Sequence, residues 1–454
     1  MEKEIMQILQ RLKSLKQSLN QVKSVQIMGH VSGVKGVTIE VKGLADFVTI
    51  GTKCLIVKNS SLHSDMLAEV VALREDIVIM LPFGSTEGVG LGSKVMVTQS
   101  ENMIWPDETW RGRILNAFAS PIDNKGILPF GDNPYSLNTS PPNPQKRRML
   151  GPKIDLGVKS LDCFTSCCQG QRMGIFAGSG VGKSMLISML TKYSKTDIKV
   201  IGLIGERGRE VQEFIQEYLG QEGLKNAVVV VSTSDEPALM RKRAAYLTMT
   251  IAEYFRDQGR EVLCIMDSIT RLAMAQRDIG LAAGELPSNK GYTPSVFSEM
   301  PKLLERAGPG IEKGDITGIF TVLVEGDDQN EPISDCIRSI IDGHIILDRG
   351  IFERGRYPAV DILKSVSRSL PKCNTIRENT ISQRARKILA TYNDMADLIR
   401  IGAYKAGSDK EIDNAIKYFP VIEDFLRQNP DEYLPMNSSF ERLEQILELT
   451  NESN

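Results

Sequence analysis

The rhythm of apolar and polar positions changes several times along the chain. Near the start, Ile5, Ile8, Leu12, Leu15, Leu19 and Val22 recur at alternating spacings of three and four, and Leu9 widens the stripe. Such a seam predicts one amphipathic helix over residues 1–24. Arg11, Lys13, Lys16 and Lys23 take its other faces. A helix of this type packs on its own domain or docks on a partner or a membrane surface. Its isolation ahead of any domain core favours a partner.

From residue 25 to 98 the pattern shortens. Runs at Val37–Val41, Lys53–Val57, Ala68–Ala72, Ile77–Leu81 and Lys94–Val97 are punctuated by Gly, Asn and Ser. This spacing predicts a small antiparallel barrel or sandwich. Residues 133–146, with Pro134, Pro141, Pro142 and Pro144, read as an extended connection. The adjoining Lys146, Arg147 and Arg148 read as solvated linker.

Between residues 161 and 349, apolar runs alternate with helical periodicity. The predicted strands are Met173–Ala177, Lys199–Ile204, Ala227–Val231, Val262–Asp267, Ile319–Val324 and His344–Leu347. That alternation predicts a mostly parallel sheet covered on both faces. Beyond Pro371 only helical periodicity remains, over Ile381–Ile401, Asp409–Leu426 and Phe440–Leu449. His344 opens an apparent core strand and reads as structural.

Composition adds little to this picture and excludes some partners. The chain has 454 residues, enough for about three domains at roughly 150 residues each. A net charge of −2 supplies no overall pull toward nucleic acid or anionic lipid. No apolar h-region and no membrane-length apolar run is visible, so a cytoplasmic protein is expected. The cysteines number seven, an odd count scattered along the chain, which points to a reducing compartment. Cys163, Cys167 and Cys168 cluster without a nearby His or paired C-x-x-C spacing, and buried thiols are the expected reading.

The strongest motif is Ala177-Gly178-Ser179-Gly180-Val181-Gly182-Lys183-Ser184, set after a predicted strand and before a predicted helix. This is the context of a P-loop. Its glycines let the backbone wrap phosphate, and the helix start favours anions. Lys183 is positioned to reach the β- and γ-phosphates of ATP, and Ser184 to ligate Mg²⁺. Ala177 stands where the strict pattern has Gly. The apolar run Val262–Met266 ends in Asp267, as a strand needs if only its tip is to meet the Mg²⁺ shell. Glu206, in the charged turn Gly205-Glu206-Arg207-Gly208-Arg209-Glu210, follows another predicted strand. A carboxylate there can orient and polarise attacking water. A merely solvated turn is equally compatible with the turn's residues alone.

These motifs, with several others, resemble the ATP-synthase-like rotary ATPases, and within them the type III protein-export ATPases. Gly112-Arg113-Ile114-Leu115-Asn116-Ala117 with Pro121-Ile122-Asp123 is similar to the segment that opens this family's nucleotide domain. Gly170-Gln171-Arg172 precedes the P-loop as it does there. Asp267-Ser268-Ile269-Thr270-Arg271, Gly291-Tyr292-Thr293-Pro294-Ser295-Val296-Phe297, Glu325-Gly326-Asp327-Asp328 and Gly402-Ala403-Tyr404 also fit. The stretch from Glu353 to Asp361, leading into Ser365-Val366-Ser367-Arg368, looks closer to the flagellar branch than to the virulence-secretion branch.

The resemblance implies a multidomain α/β protein. An N-terminal β-barrel (25–98) would follow the terminal helix. A central RecA-like P-loop domain with a mostly parallel sheet (99–370) and a C-terminal helical domain (371–454) would complete it. It implies a homohexameric ring that hydrolyses ATP with Mg²⁺ to energise flagellar protein export. Matching positions carry over Glu206 as the catalytic carboxylate and Arg207 as a γ-phosphate contact. Tyr357 carries over as the aromatic that stacks on adenine, and Arg368 as an arginine finger inserted into the neighbouring subunit. Implied partners are a coiled-coil stator or regulator, which the N-terminal helix would meet, a central stalk protein, the membrane export gate and export substrates or their chaperones. The implied location is the cytoplasm, peripheral to the inner-membrane export apparatus.

Three other readings compete. An ATP-synthase catalytic subunit would usually carry an acidic Asp-Glu-Leu-Ser-Glu-Glu-Asp turn, which this sequence lacks, and the non-catalytic subunit would lack Glu206. A ring-shaped RNA translocase needs aromatics on its barrel for base stacking, and residues 25–98 offer only Phe47 and Phe83. A catalytically dead scaffold would not fill every catalytic position.

Overall fold

The computed structural model describes residues 26–58, 64–98, 102–324 and 331–448. The predicted N-terminal helix and the Glu325–Asp328 segment lie outside the described residues.

The first domain is a closed six-stranded barrel. Its strands are Met28–Lys35, Thr38–Lys42, Lys53–Ile56, Met66–Arg74, Ile77–Pro82 and Lys94–Val97. The first strand pairs antiparallel with both the second and the last, which closes the ring. Alternate residues such as Ile39 and Val41, Cys54 and Ile56, or Val78 and Met80 fill the interior, as the period of two requires. The strand Met28–Lys35 is absent from the sequence prediction because Gly29 and Gly33 interrupt its apolar alternation. The gap at Gly29 has a steric reason: a Cβ there would come within 2.5 Å of the Lys42 carbonyl.

The central sheet runs, in spatial order, Val366–Ser367, Gly343–Leu347, Arg172–Ala177, Asp315–Leu323, Glu261–Asp267, Ile198–Glu206, Ala227–Thr233 and Ile114–Leu115. From Gly343–Leu347 to Ile114–Leu115 neighbours along this path are parallel; Val366–Ser367 is antiparallel. Every residue of Ile198–Glu206 is buried, as expected of a strand covered on both faces. The two faces feed separate cores. Ile201, Leu203, Val229, Leu263 and Ile265 join one, and Val200, Ile204, Val230, Cys264 and Met266 the other.

The first of these cores also takes Leu389, Phe425 and Leu443 from the three C-terminal helices, Ile376–Arg400, Lys410–Leu426 and Met436–Glu448. The helical region is thus packed onto the nucleotide-domain sheet. Cys163 and Cys167 are buried in the same core. The outer face of the barrel meets the nucleotide domain through Val71, Ile79, Leu81 and Phe83 against Leu239 and Ile279. That contact buries Phe83, whereas Phe47 is exposed.

The Pro-rich connection is extended but not loose. Tyr135–Ser136 pairs with Met103–Ile104, and Leu137 gives its carbonyl to Arg306 Nη1 at 2.7 Å. The reading of Lys146–Arg148 as solvated linker is corrected in part. Arg147 donates to the Glu305 carbonyl, and Arg148 Nη2 lies 2.6 Å from Asp315 Oδ1. The carbonyls left by the end of helix Pro294–Leu304 and the buried carboxylate that opens strand Asp315–Leu323 need donors, and Arg147 and Arg148 supply them.

Arg306 is fully buried and forks onto Glu253, with Nε 3.0 Å from Oε1 and Nη2 2.5 Å from Oε2. Arg306→Ala should destabilise the core by about 3–5 kcal/mol, because it strands a buried carboxylate. The urea midpoint of the core transition checks this. A shift worth less than about 1 kcal/mol would show that Glu253 finds other compensation.

Candidate active site

The strand Arg172–Ala177 lies inside the sheet, between Gly343–Leu347 and Asp315–Leu323. Its end delivers the chain to the carboxyl edge, where open α/β sheets form their sites. Ala177 is buried as the last strand residue, so a methyl group is tolerated at the position where the motif pattern has Gly. Gly180 and Gly182 then take left-handed conformations, with φ of 75° and 88°, which L side chains rarely adopt. Helix Lys183–Tyr193 starts directly after Gly182. A glycine turn feeding a helix start gathers backbone N–H groups and positive dipole in one concavity.

Two neighbouring strands bring carboxylates to that concavity. Asp267 ends its strand two places along the sheet, beyond Asp315–Leu323. Glu206 ends the next one, which continues past the predicted limit at Ile204. Gly205 makes this possible. It has φ of 69°, the register with Ala227–Thr233 slips between Ile204 and Glu206, and a Cβ on Gly205 would come within 2.8 Å of Arg271 Cβ. Such an irregularity re-aims the following side chain. Helix Gly208–Glu213 begins just beyond, so the expected charged turn is a strand end and a helix start.

Lys183 Nζ lies 2.5 Å from Asp267 Oδ1 and 3.5 Å from Glu206 Oε1. Asp267 Oδ1 also accepts from Thr321 Oγ1 at 2.6 Å. All three charged side chains are about nine-tenths buried. Burial pushes Glu206 up to about 7, helped by the Asp267 charge and opposed by Lys183. For Lys183 burial works against the charge, but Asp267 and then Glu206 outweigh it and hold its pKa above the ordinary value. The result is a protonated lysine facing a carboxyl poised near neutrality.

Ser184 occupies the helix start and is exposed. With Asp267 it offers hard oxygen donors, which suit Mg²⁺ rather than a softer metal. Arg207 is 77% exposed and pairs with Glu210 at 3.6 Å. Tyr357 meets Phe352 edge to face, with ring centroids 5.1 Å apart. It lines a cavity of about 520 Å³ with Met185 of the P-loop helix and with Asp424, Arg427 and Gln428 of the helical region. An aromatic wall beside the P-loop helix is what a flat base needs.

Arg368 stands apart from this group. Its backbone N–H donates to the Asp342 carbonyl at 2.9 Å, and Ser367 pairs with Gly343. Asp342 also binds the backbone of Arg172, the first residue of the P-loop strand. Arg368 therefore sits at the amino edge of the sheet. The six-residue strand Arg172–Ala177 separates it from its own P-loop, about 17–20 Å at 3.3 Å per residue.

Three residues near the site escaped the sequence reading. Thr321 holds Asp267, and its signal was a lone hydroxyl inside an apolar strand. Arg349 Nη2 donates to the Ser179 carbonyl at 3.1 Å, and it follows the carboxyl end of the strand Gly343–Leu347. Phe352 lies beside both Tyr357 and Gly182, since a Cβ on Gly182 would be 4.0 Å from its ring. Sequence spacing gives no cue that this ring faces the P-loop.

Comparison with known proteins matches each of the three domains. The ATP synthase alpha/beta family nucleotide-binding domain matches residues 157–367, and the beta-barrel domain of the same family matches residues 25–99. The T3SS EscN ATPase C-terminal domain matches residues 377–445. The flagellum-specific ATP synthase of Caulobacter vibrioides is 52% identical, covering 96% of this chain and 99% of its own. That of Bacillus subtilis is 48% identical, covering 93% and 95%. The assembled ATPase EscN of the enteropathogenic E. coli type III secretion system superposes with a TM-score of 0.87 at 42% identity, over 92% of this chain and 100% of that one. EscN in complex with its central stalk EscO gives 0.83 at 41% identity, with the same coverage. The chain belongs to the ATP synthase alpha/beta family, in the branch that holds the flagellum-specific ATP synthases and the type III secretion ATPase EscN.

Proposed function

We propose that this chain is the Mg²⁺-dependent ATPase of flagellar type III protein export, working as a homohexameric ring whose sites are completed between neighbouring copies. The observation that carries the reading is a division of labour across one sheet. Lys183, Glu206 and Asp267 converge at its carboxyl edge, while Arg368 stands at its amino edge. An arginine so far from its own P-loop is placed to serve another copy's instead.

In this reading the P-loop amides and Lys183 grip the β- and γ-phosphates. Ser184 and Asp267 would hold Mg²⁺, which supplies neutralising charge to the phosphate oxygens. Glu206 orients the attacking water and takes part of its proton. Arg207 meets the γ-phosphate, Tyr357 stacks on adenine, and the neighbour's Arg368 stabilises charge as the terminal bond breaks.

The flagellar assignment rests on the relatives. Flagellum-specific ATP synthases reach 52% identity, against 42% for EscN. The helical region matches the secretion-ATPase type, which speaks against a proton-translocating ATP synthase subunit. The EscN–EscO complex supports a central stalk partner here. A coiled-coil stator, the membrane export gate and export substrates or chaperones complete the proposed set. No described helix is long and apolar enough to cross a membrane, which fits a cytoplasmic ring attached peripherally to the export apparatus.

Three outcomes are expected. Lys183→Ala should weaken ATP binding by about 10-fold to 150-fold, the worth of a hydrogen bond between charged groups. Equilibrium titration with a fluorescent ATP analogue measures it, and unchanged affinity would remove Lys183 from the phosphate site. For Glu206 the acting form is the carboxylate, so a pKa raised to about 7 moves the loss of activity upward in pH. The kcat/KM for ATP should therefore climb between pH 6 and 8 with a midpoint of about 7, and Glu206→Gln should bind ATP yet hydrolyse it very slowly. A flat profile, or near-normal turnover in the variant, would exclude Glu206 as the base. Arg368→Ala should cut turnover by roughly 10³–10⁵-fold. Mixing it with Lys183→Ala chains should restore part of the rate, because some interfaces then carry both halves. A mixture as inactive as either variant alone, in rings shown by light scattering to be mixed, would sink the shared site.

A further inference from the structure

The turn Gly170-Gln171-Arg172 enters the P-loop strand at the amino edge of the sheet, the edge that also carries Arg368. Gln171 is fully buried there. Its N–H donates to the Cys168 carbonyl at 3.0 Å, and its carbonyl accepts from the Gly318 N–H, also at 3.0 Å. The backbone of Gln171 is thus fixed on two sides.

The side-chain amide is fixed as well. Oε1 accepts from the Cys168 N–H at 2.9 Å. A backbone N–H can only donate, so the oxygen must face it and Nε2 must turn the other way. Nε2 donates to the Asp342 carbonyl at 3.1 Å and to Ser367 Oγ at 3.0 Å, with the weak acceptor Met173 Sδ at 3.2 Å. Ser367 gives its own proton to the Ser166 carbonyl at 2.8 Å, so toward Gln171 it can only accept. Both acceptors frame Arg368. Ser367 precedes it in the chain, and the Asp342 carbonyl also takes the Arg368 N–H at 2.9 Å.

Arg368 needs such a frame. It is exposed, and it follows a two-residue strand at the rim of the sheet. Its Nη2 reaches the Arg338 carbonyl at 3.3 Å. So short a strand, paired on one side, supplies few ladder bonds to hold the chain after it. We propose that Gln171 is a positioning residue for catalysis: its buried amide fixes the backbone at Ser367 and Arg368, so that the finger enters the neighbouring copy's site at the productive place. The inference rests on the reading of Arg368 as that finger. Gln171 also leads into Arg172–Ala177, so one strand ties a chain's own P-loop to the finger it lends.

Gln171→Met keeps the length and burial of the side chain but removes both donated hydrogen bonds. In full-length rings shown by light scattering to be assembled, kcat should fall about 10-fold to 100-fold, the cost of a small misplacement of a catalytic group. KM for ATP and affinity for a fluorescent ATP analogue should stay within about twofold, because the P-loop of that chain keeps its contacts. Added to Arg368→Ala, Gln171→Met should cost no more than about twofold further in single-turnover hydrolysis, since it acts only through the arginine. Ser367→Ala, which removes one of the two bonds, should lower kcat about twofold to tenfold. An unchanged kcat in Gln171→Met, a raised KM in place of a lowered kcat, or a full further loss on top of Arg368→Ala would overturn the inference. A large Arg368→Ala loss with an additive Gln171→Met loss rejects this inference alone. An Arg368→Ala ring with intact turnover rejects the finger, and this inference with it. If Gln171→Met chains do not assemble, Ser367→Ala decides by the same comparisons.

Discussion

One buried ammonium organises the nucleotide domain's working edge. Lys183 is held between the carboxylates of Asp267 and Glu206; the two carboxylates end neighbouring strands of the sheet, and the lysine opens the helix that follows a third. A buried cation next to two carboxylates is tolerable only when the geometry is good, because each ion has lost its water. The sheet supplies that geometry. Its strands are packed on both faces, so their ends cannot drift, and the three groups stay within reach of one another. The same packing forces Glu206 toward a neutral-range pKa, since two carboxyls near one ammonium cannot all be well compensated. A group poised near neutrality is suited to exchange a proton with water at cellular pH.

The rest of the structure serves this edge in two ways. Some elements position it directly: Thr321 fixes Asp267, Gly205 lets the chain kink so that Glu206 comes inward, and Arg349 ties down the loop at Ser179. Others give it walls. The three C-terminal helices share a core with the sheet face that carries the P-loop helix, and the end of the second of them, the loop after it and Arg442 of the third form the second wall of the cavity beside Tyr357. The barrel is joined through its own apolar outer face and through a polar joint. There Lys53 of the barrel and Arg243 of the core both donate to the Asn102 side-chain oxygen, while Arg306, Glu253 and the Leu137 carbonyl form a buried network that ties the connection to the core.

The position of Arg368, at the amino edge of the sheet, is what the proposed ring is built on. If Arg368 serves as the proposed finger, a monomer holds both halves of a site that it cannot close by itself. Copies arranged around a ring can bring one amino edge to the next carboxyl edge. EscN, similar over 92% of this chain, is known in an assembled form, in keeping with that logic.

Much of this was legible in the sequence, for definite reasons. The P-loop was readable because left-handed glycines, a lysine and a hydroxyl must follow one another closely to wrap phosphate, so the chemistry is local. The strand cores were readable because burial on both faces demands long apolar runs, as in Val228–Val231 and Val262–Met266. The barrel's first strand was missed where a close backbone approach at Gly29 replaced the apolar signal. The partners of Arg147 and Arg148 were not legible because their acceptors lie more than 150 residues away. What only the tertiary structure decided are relations between distant segments: that Thr321 holds Asp267, that Phe352 backs Tyr357, that Lys53 and Arg243 meet at Asn102, and that Arg368 lies across the sheet from its own P-loop. Sequence fixes contacts made within a turn or a strand; contacts across strands and domains depend on register and packing, and those exist only once the chain has closed on itself.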